Sequence, residues 1–157
     1  MKEVFCDIEH CLACKACEIA CAVEHTKSKN IYKSIQENAK HRIKVQYFRK
    51  NKEGYIIQPM PVQCRHCKEP LCISACMSVA LSKDKKTGTV KYDKDKCVGC
   101  YMCVMVCPFG AIDLQKSESL ILKCDHCDDS GEPACVLSCP TAALVFCEAS
   151  ELKRKNK

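Results

Sequence analysis

Tryptophan is missing from the 157 residues, and aromatic side chains make up only 6% of them. Large rings therefore cannot carry the core. Glycine is scarce, at five residues. None of them forms a G-x-G-x-x-G or P-loop pattern, which removes nucleotide sites of those kinds. No apolar run approaches the roughly twenty residues that cross a bilayer. The opening Met-Lys-Glu-Val-Phe-Cys has no signal-peptide apolar region and no twin arginine, so a cytoplasmic location is expected. The radical-enzyme spacing C-x3-C-x2-C is absent as well.

Cysteine is present in excess: 18 residues, about one in nine. In a cytoplasm thiols stay reduced, and such density signals metal rather than disulfides. The clearest pattern is Cys97-x2-Cys100-x2-Cys103-x3-Cys107-Pro108. This spacing wraps a cubane iron–sulfur cluster: three close sulfurs converge on one cluster, and the fourth, a helical turn later, points away. Proline after the fourth cysteine has no N–H to leave unpaired and redirects the backbone. A zinc site would use two separated pairs instead.

The pattern recurs. Motif one is Cys11, Cys14, Cys17 and Cys21; motif two is Cys64, Cys67, Cys72 and Cys76; motif four is Cys124, Cys127, Cys135 and Cys139, with Pro140. This internal repeat governs the fold. Sixteen cysteines make four [4Fe–4S] sites, and Cys6 and Cys147 are left over. Sixteen thiolates and four cores of charge 2+ take the formal +6 to about −2, so a nucleic-acid reading from basic pI fails. Modest apolar content means that a core built partly on clusters should leave the apo chain unfolded.

Short strands are expected at 3–7 and 142–147, and at 110–114 after motif three. Residues 79–92, with Lys-Lys-Thr-Gly at 85–88, read as the hairpin that separates the halves of a two-cluster ferredoxin. Residues 42–48 and 55–60 alternate as two strands around a turn at 50–54. That hairpin lies in a segment, 27–52, with nine Lys or Arg against the single acid Glu37. Lys44, Arg49, Lys50 and Lys52 are candidates for docking an acidic partner.

The expected fold is α+β, with two interleaved bacterial dicluster ferredoxin-like modules and a β-hairpin insertion. Residues 1–26 with 115–152 form the outer module, 27–60 the basic hairpin, 61–114 the inner module, and 153–157 a disordered tail. In two-cluster ferredoxins the fourth cysteine of a motif ligates the other cluster. Pairing motif one with four, and two with three, then gives the ligand sets. Cluster one takes Cys11, Cys14, Cys17 and Cys139. Cluster two takes Cys64, Cys67, Cys72 and Cys107. Cluster three takes Cys97, Cys100, Cys103 and Cys76. Cluster four takes Cys124, Cys127, Cys135 and Cys21.

Taken together, the motifs resemble the four-cluster iron–sulfur subunits of the dimethyl sulfoxide reductase type over the whole chain. Residues 12–25 (LACKACEIACAVEH), 63–67 (QCRHC) and 101–112 (YMCVMVCPFGAI) resemble the electron-transfer ferredoxin subunit of carbon monoxide dehydrogenase. They also resemble its relatives in formate dehydrogenase, hydrogenase and tungsten aldehyde oxidoreductase complexes. Met77 and Ala22 stand where proline often follows motifs two and one. The resemblance implies a non-catalytic subunit that carries single electrons. Its catalytic partner would be carbon monoxide dehydrogenase, and its second partner a redox protein such as a flavoprotein, hydrogenase or soluble ferredoxin.

Other candidates are secondary. His10, His25, His41, His66 and His126 read as surface groups or groups beside ligands; His66 and His126, each preceding a ligand cysteine, can tune a cluster. Cys6 and Cys147 read as small buried hydrophobes. Met102 and Met105 are expected to pack around a cluster and exclude water. Two rival classes are a zinc-stapled binding module and a catalytic iron–sulfur enzyme. The latter would need a missing ligand, and all four motifs are complete.

Overall fold

Short elements follow from cysteines spaced two or three residues apart, because each motif must turn before a helix or strand can lengthen. The computed structural model describes residues 2–50, 56–115, 120–128 and 130–155. In chain order it contains β1 (Lys2–Cys6), α1 (Ala16–Glu24), α2 (Ile31–Ser34), β2 (Lys44–Lys50), β3 (Ile56–Val62), α3 (Leu71–Ser74), β4 (Leu81–Lys83) and β5 (Val90–Tyr92). Then come α4 (Met102–Met105), β6 (Ile112–Gln115), β7 (Leu120–Lys123), α5 (Ala134–Leu137), β8 (Leu144–Glu148) and α6 (Ala149–Lys155).

The strands form four separate antiparallel ribbons among the described residues: β1 with β8, β2 with β3, β4 with β5 and β6 with β7. The first joins the two ends of the chain, with Val4 opposite Phe146 and Cys6 opposite Leu144. In β3, Pro59 and Pro61 face Tyr47 and Val45. Proline donates no ladder bond, and two prolines at alternate positions fit a ribbon whose outer side has no partner. The turn from β4 to β5 is built on Asp84, whose carboxylate accepts from the N–H of Lys86 (2.8 Å) and Thr87 (3.3 Å). Gly88 follows at φ 75°, a conformation that costs glycine no steric clash.

Two apolar cores result among the described residues. One gathers Cys17, Cys21, Ile43, Val45, Cys135 and Leu144, with Val4, Cys6, Val136 and Cys139 against it. The other gathers Leu81, Val90, Cys103, Ile112 and Ile121, with Cys72, Cys76, Tyr92 and Cys107. The first thus mixes side chains of motifs one and four, the second those of motifs two and three.

Three expectations change. Met102 and Met105 are 45% and 80% exposed and do not shield a cluster. A one-turn helix can send only part of its circumference inward, and α4 spends that part on buried Cys103. The tail expected to be disordered from 153 continues α6 through Lys155; Ala149, Glu151 and Leu152 are good helix formers. β7 is an additional strand, its Leu-Ile-Leu-Lys alternating half-buried and buried positions with the period of two that a strand imposes. The 50–54 turn lies largely outside the described residues, as does Lys52. Lys44 is paired with Asp113 at 2.5 Å and so ties β2 to β6.

Leu81 is 1% exposed. Leu81→Ala should lower stability by about 2–5 kcal/mol, read as a lower denaturant midpoint for loss of the visible absorbance. Met105→Ala, at an exposed position, should change it by no more than about 0.5 kcal/mol.

Candidate functional site

The cysteine loops share a backbone device. The residue before the second cysteine is left-handed in every motif: Ala13 (φ 55°), His66 (46°), Gly99 (68°) and His126 (61°). Such a turn curls the chain so that main-chain N–H groups face the preceding sulfur. His66 N–H donates to Cys64 Sγ at 3.4 Å and His126 N–H to Cys124 Sγ at 3.5 Å. Lys15 and Tyr101, at φ 61° and 58°, then start α1 and α4 immediately after the second cysteine. In motifs two and four the longer spacings end in Pro70 and Pro133, each two residues before the third cysteine, and these launch α3 and α5 instead. Three residues past the last cysteine, Val79, Gly110 and Ala142 are again left-handed. Each bonds back to the carbonyl of Cys76, Cys107 or Cys139 at 3.2 Å. Left-handed non-glycine residues cost about 1 kcal/mol each and persist only when their surroundings enforce them.

All eighteen cysteines are described and free. The structure brings Cys11, Cys14 and Cys17 together with Cys139 around one small apolar cleft. A second cleft is lined by Cys64, Cys67 and Cys72 with Cys107. Cys103 lies in electrostatic reach of Cys76 and Cys100. Cys124, Cys127 and Cys135 all lie in reach of Cys21. Cys6 packs against the first set, near Cys11, Cys139 and Cys17, and Cys147 sits opposite Glu3 in the terminal ribbon.

Burial dominates the thiol chemistry. It pushes Cys17 and Cys103 up to about 11 and Cys135 up to about 12. Cys124 rises well above the ordinary thiol value, again from burial first and then from Cys135, Asp125 and Cys21. These thiols stay protonated at neutral pH until a cation displaces the protons. Cys76 and Cys139 go the other way. Burial opposes ionisation there too, but main-chain N–H groups outweigh it: from Leu81 and Ala80 at Cys76, and from Leu144, Thr141 and Ala143 at Cys139. The hydroxyls of Ser78 and Thr141 lie 3.8 Å from the two sulfurs.

Soft thiolates in sets of four, with N–H groups turned toward sulfur, fit [4Fe–4S] clusters held by cysteine. Zinc with histidine fits less well. One three-residue group (His66, Cys124 and His126) and another (His25, Asp125 and Cys127) lie close enough to hold a metal. Each borrows a motif-four cysteine, and His66 Nδ1 is already accepting the Val90 N–H at 2.8 Å. Burial and Lys123 hold His66 down to about 2 and His126 to about 4, so both rings are neutral. His25 lies 2.6 Å from the Cys21 carbonyl and 3.1 Å from Asp125, while Arg42 reaches Asp125 at 3.2 Å. Motif one and motif four are thereby clamped through Asp125, which lies between Cys124 and Cys127. His10 is exposed and pairs with Asp7.

Sequence reasoning missed Lys123. It is 5% exposed and donates to the carbonyls of Val90 (2.5 Å) and Cys124 (2.7 Å). The signal was the period of two in β7, which puts Lys123 on the same face as buried Ile121.

A 4Fe-4S dicluster domain model matches residues 55–149, and a 4Fe-4S binding domain model matches residues 8–24. The B subunit of the anaerobic dimethyl sulfoxide reductase of Escherichia coli K12 is 32% identical over 167 residues, covering 97% of this protein and 76% of that one. An iron-sulfur protein of Rhodospirillum rubrum is 35% identical over 159 residues, covering 90% of this protein and 79% of that one. The hydrogenase-2 operon protein HybA of Escherichia coli O157:H7 is 40% identical over 105 residues, 60% of this protein and 32% of its own length.

Proposed function

The chain belongs to the 4Fe-4S dicluster domain family, and from that premise we propose an electron-transfer subunit that links carbon monoxide dehydrogenase to a second redox protein. It is a non-catalytic iron–sulfur protein of oxidoreductase complexes. Bound in the four thiol sets, each [4Fe–4S] cluster would supply a one-electron acceptor. The polypeptide supplies the rest. Its cysteines hold the clusters, its left-handed turns aim N–H groups at sulfur, and its apolar side chains keep water away.

One observation carries the ligand assignment: the clefts gather a fourth cysteine from a different motif. Cys139 joins Cys11, Cys14 and Cys17, and Cys107 joins Cys64, Cys67 and Cys72. Cys76 therefore serves Cys97, Cys100 and Cys103, and Cys21 serves Cys124, Cys127 and Cys135. Motifs one and four form the outer module, motifs two and three the inner one, and the β2–β3 ribbon is inserted between them. The partner rests on the stretches 12–25, 63–67 and 101–112. A formate dehydrogenase, hydrogenase or tungsten aldehyde oxidoreductase is the alternative catalytic subunit.

Anaerobic reconstitution should saturate at about sixteen irons and sixteen sulfides per chain. Cys139→Ala should lose about four of those irons. Adding Cys11→Ala should then cost no further cluster, whereas adding Cys124→Ala should cost a second one. The opposite order of losses means that each motif holds its own cluster.

The partner is tested by purifying the native protein anaerobically and identifying what accompanies it. Carbon monoxide dehydrogenase in the complex, with rapid bleaching of the clusters on addition of carbon monoxide, is the expected result. Co-purification with another catalytic subunit, and clusters unmoved by carbon monoxide, would replace that partner.

A further inference from the structure

Resting on the ligand sets above, we propose that Lys123 is a fixed buried cation that raises the reduction potentials of clusters two and four together. It would make them the favoured resting place of an electron at the junction of the two modules.

The geometry is a short chain of contacts from one motif to another. His66 lies between Cys64 and Cys67, and its Nδ1 accepts the Val90 N–H at 2.8 Å. The carbonyl of the same Val90 accepts from Lys123 Nζ at 2.5 Å, and Lys123 donates again to the Cys124 carbonyl at 2.7 Å. His66 and His126 fill the space beside it, ring centroids 3.9 Å apart. One ring nitrogen of each lies within 4.8 Å of Cys124 Sγ. Motif two thus meets motif four at this point, through residues that are nearly all buried.

A buried ammonium needs an anion, since carbonyl dipoles alone do not replace its hydration. Among the described residues no carboxylate forms an ion pair with Lys123. Asp125 is nearby, but its oxygens are engaged by His25 and Arg42. The thiolates remain. Val90, whose carbonyl Lys123 Nζ meets, lines the cleft of Cys64, Cys67, Cys72 and Cys107, and Lys123 adjoins Cys124 of motif four in sequence. Each cluster with four thiolates is a dianion when oxidised and gains a further negative charge on reduction. A nearby cation stabilises the reduced form more than the oxidised one, so it raises the potential. Low dielectric at the site keeps this effect from being screened. Lys83, which donates to the carbonyls of Cys67 and Lys68, is less buried and is the natural comparison.

The experiment is EPR-monitored redox titration of the reconstituted full chain, with iron and sulfide counted in every sample. Lys123→Met and Lys123→Gln remove the charge at similar volume, and Lys123→Arg keeps it. In the neutral variants, two of the four transitions should move down. At a fixed potential their reduced-to-oxidised ratio should fall at least tenfold, about 59 mV for one electron. The other two should stay in place, and Lys123→Arg should leave all four near wild type. Four unmoved transitions, four equal shifts, or an equal shift in Lys123→Arg would overturn the proposal. Loss of iron in both neutral variants with full iron in Lys123→Arg points to the same charge compensation. Loss in all three makes Lys123 a packing residue and ends the proposal. Wild-type protein that saturates below sixteen irons indicts the ligand sets, not Lys123.

Discussion

Convergence of sulfurs from distant parts of the chain is the constraint on which everything else depends. A chain without tryptophan, whose described ribbons each have only two strands, has few ways to hold itself together. Isolated two-stranded ribbons are marginal in water. Helices of one turn are weaker still. Here the elements are spacers between ligands. The left-handed turns at Ala13, His66, Gly99 and His126 exist because sulfurs must face inward, and metal–thiolate bonds can offset what those turns cost. The terminal ribbon of β1 and β8 follows the same logic, since it closes the half that contains Cys17, Cys21, Cys135 and Cys139.

Charge is arranged around that constraint. Arg42, His25 and Asp125 clamp motif one against motif four at the protein surface. Lys123 sits inside, where motif two meets motif four. The basic stretch before β3 is less free than its composition suggests. Lys29 is paired with Glu24, Arg42 with Asp125 and Lys44 with Asp113. A formal net charge read from composition therefore says little about which cations face a partner.

Much of this was legible from cysteine spacing. Four repeats of one pattern picked out the candidate ligands and the cofactor class, and strand and turn signals located β1, β2, β3, β4, β5, β6 and β8 to within a few positions. What escaped was whatever depends on direction rather than spacing. Met102 and Met105 flank Cys103, and which side faces inward is decided by Cys103 aiming at its partners. Lys123 looks like a solvated lysine at the end of a strand until the face that it shares with Ile121 is known. His66 lies next to one pair of cysteines in sequence and against Cys124 in space. Tertiary contact between separate motifs carries no local signature.

The central claim is that ligation by the four cysteine sets, rather than apolar packing, holds the fold. Amide hydrogen exchange, compared between the reconstituted protein and the same chain stripped of iron under reducing conditions, tests it most directly. Loss of protection throughout α1, α3, α4, α5 and all four ribbons on iron removal is the predicted result. Persistent protection at Leu81, Val90, Ile112 and Leu144 in the stripped chain would contradict it and return the fold to its apolar cores.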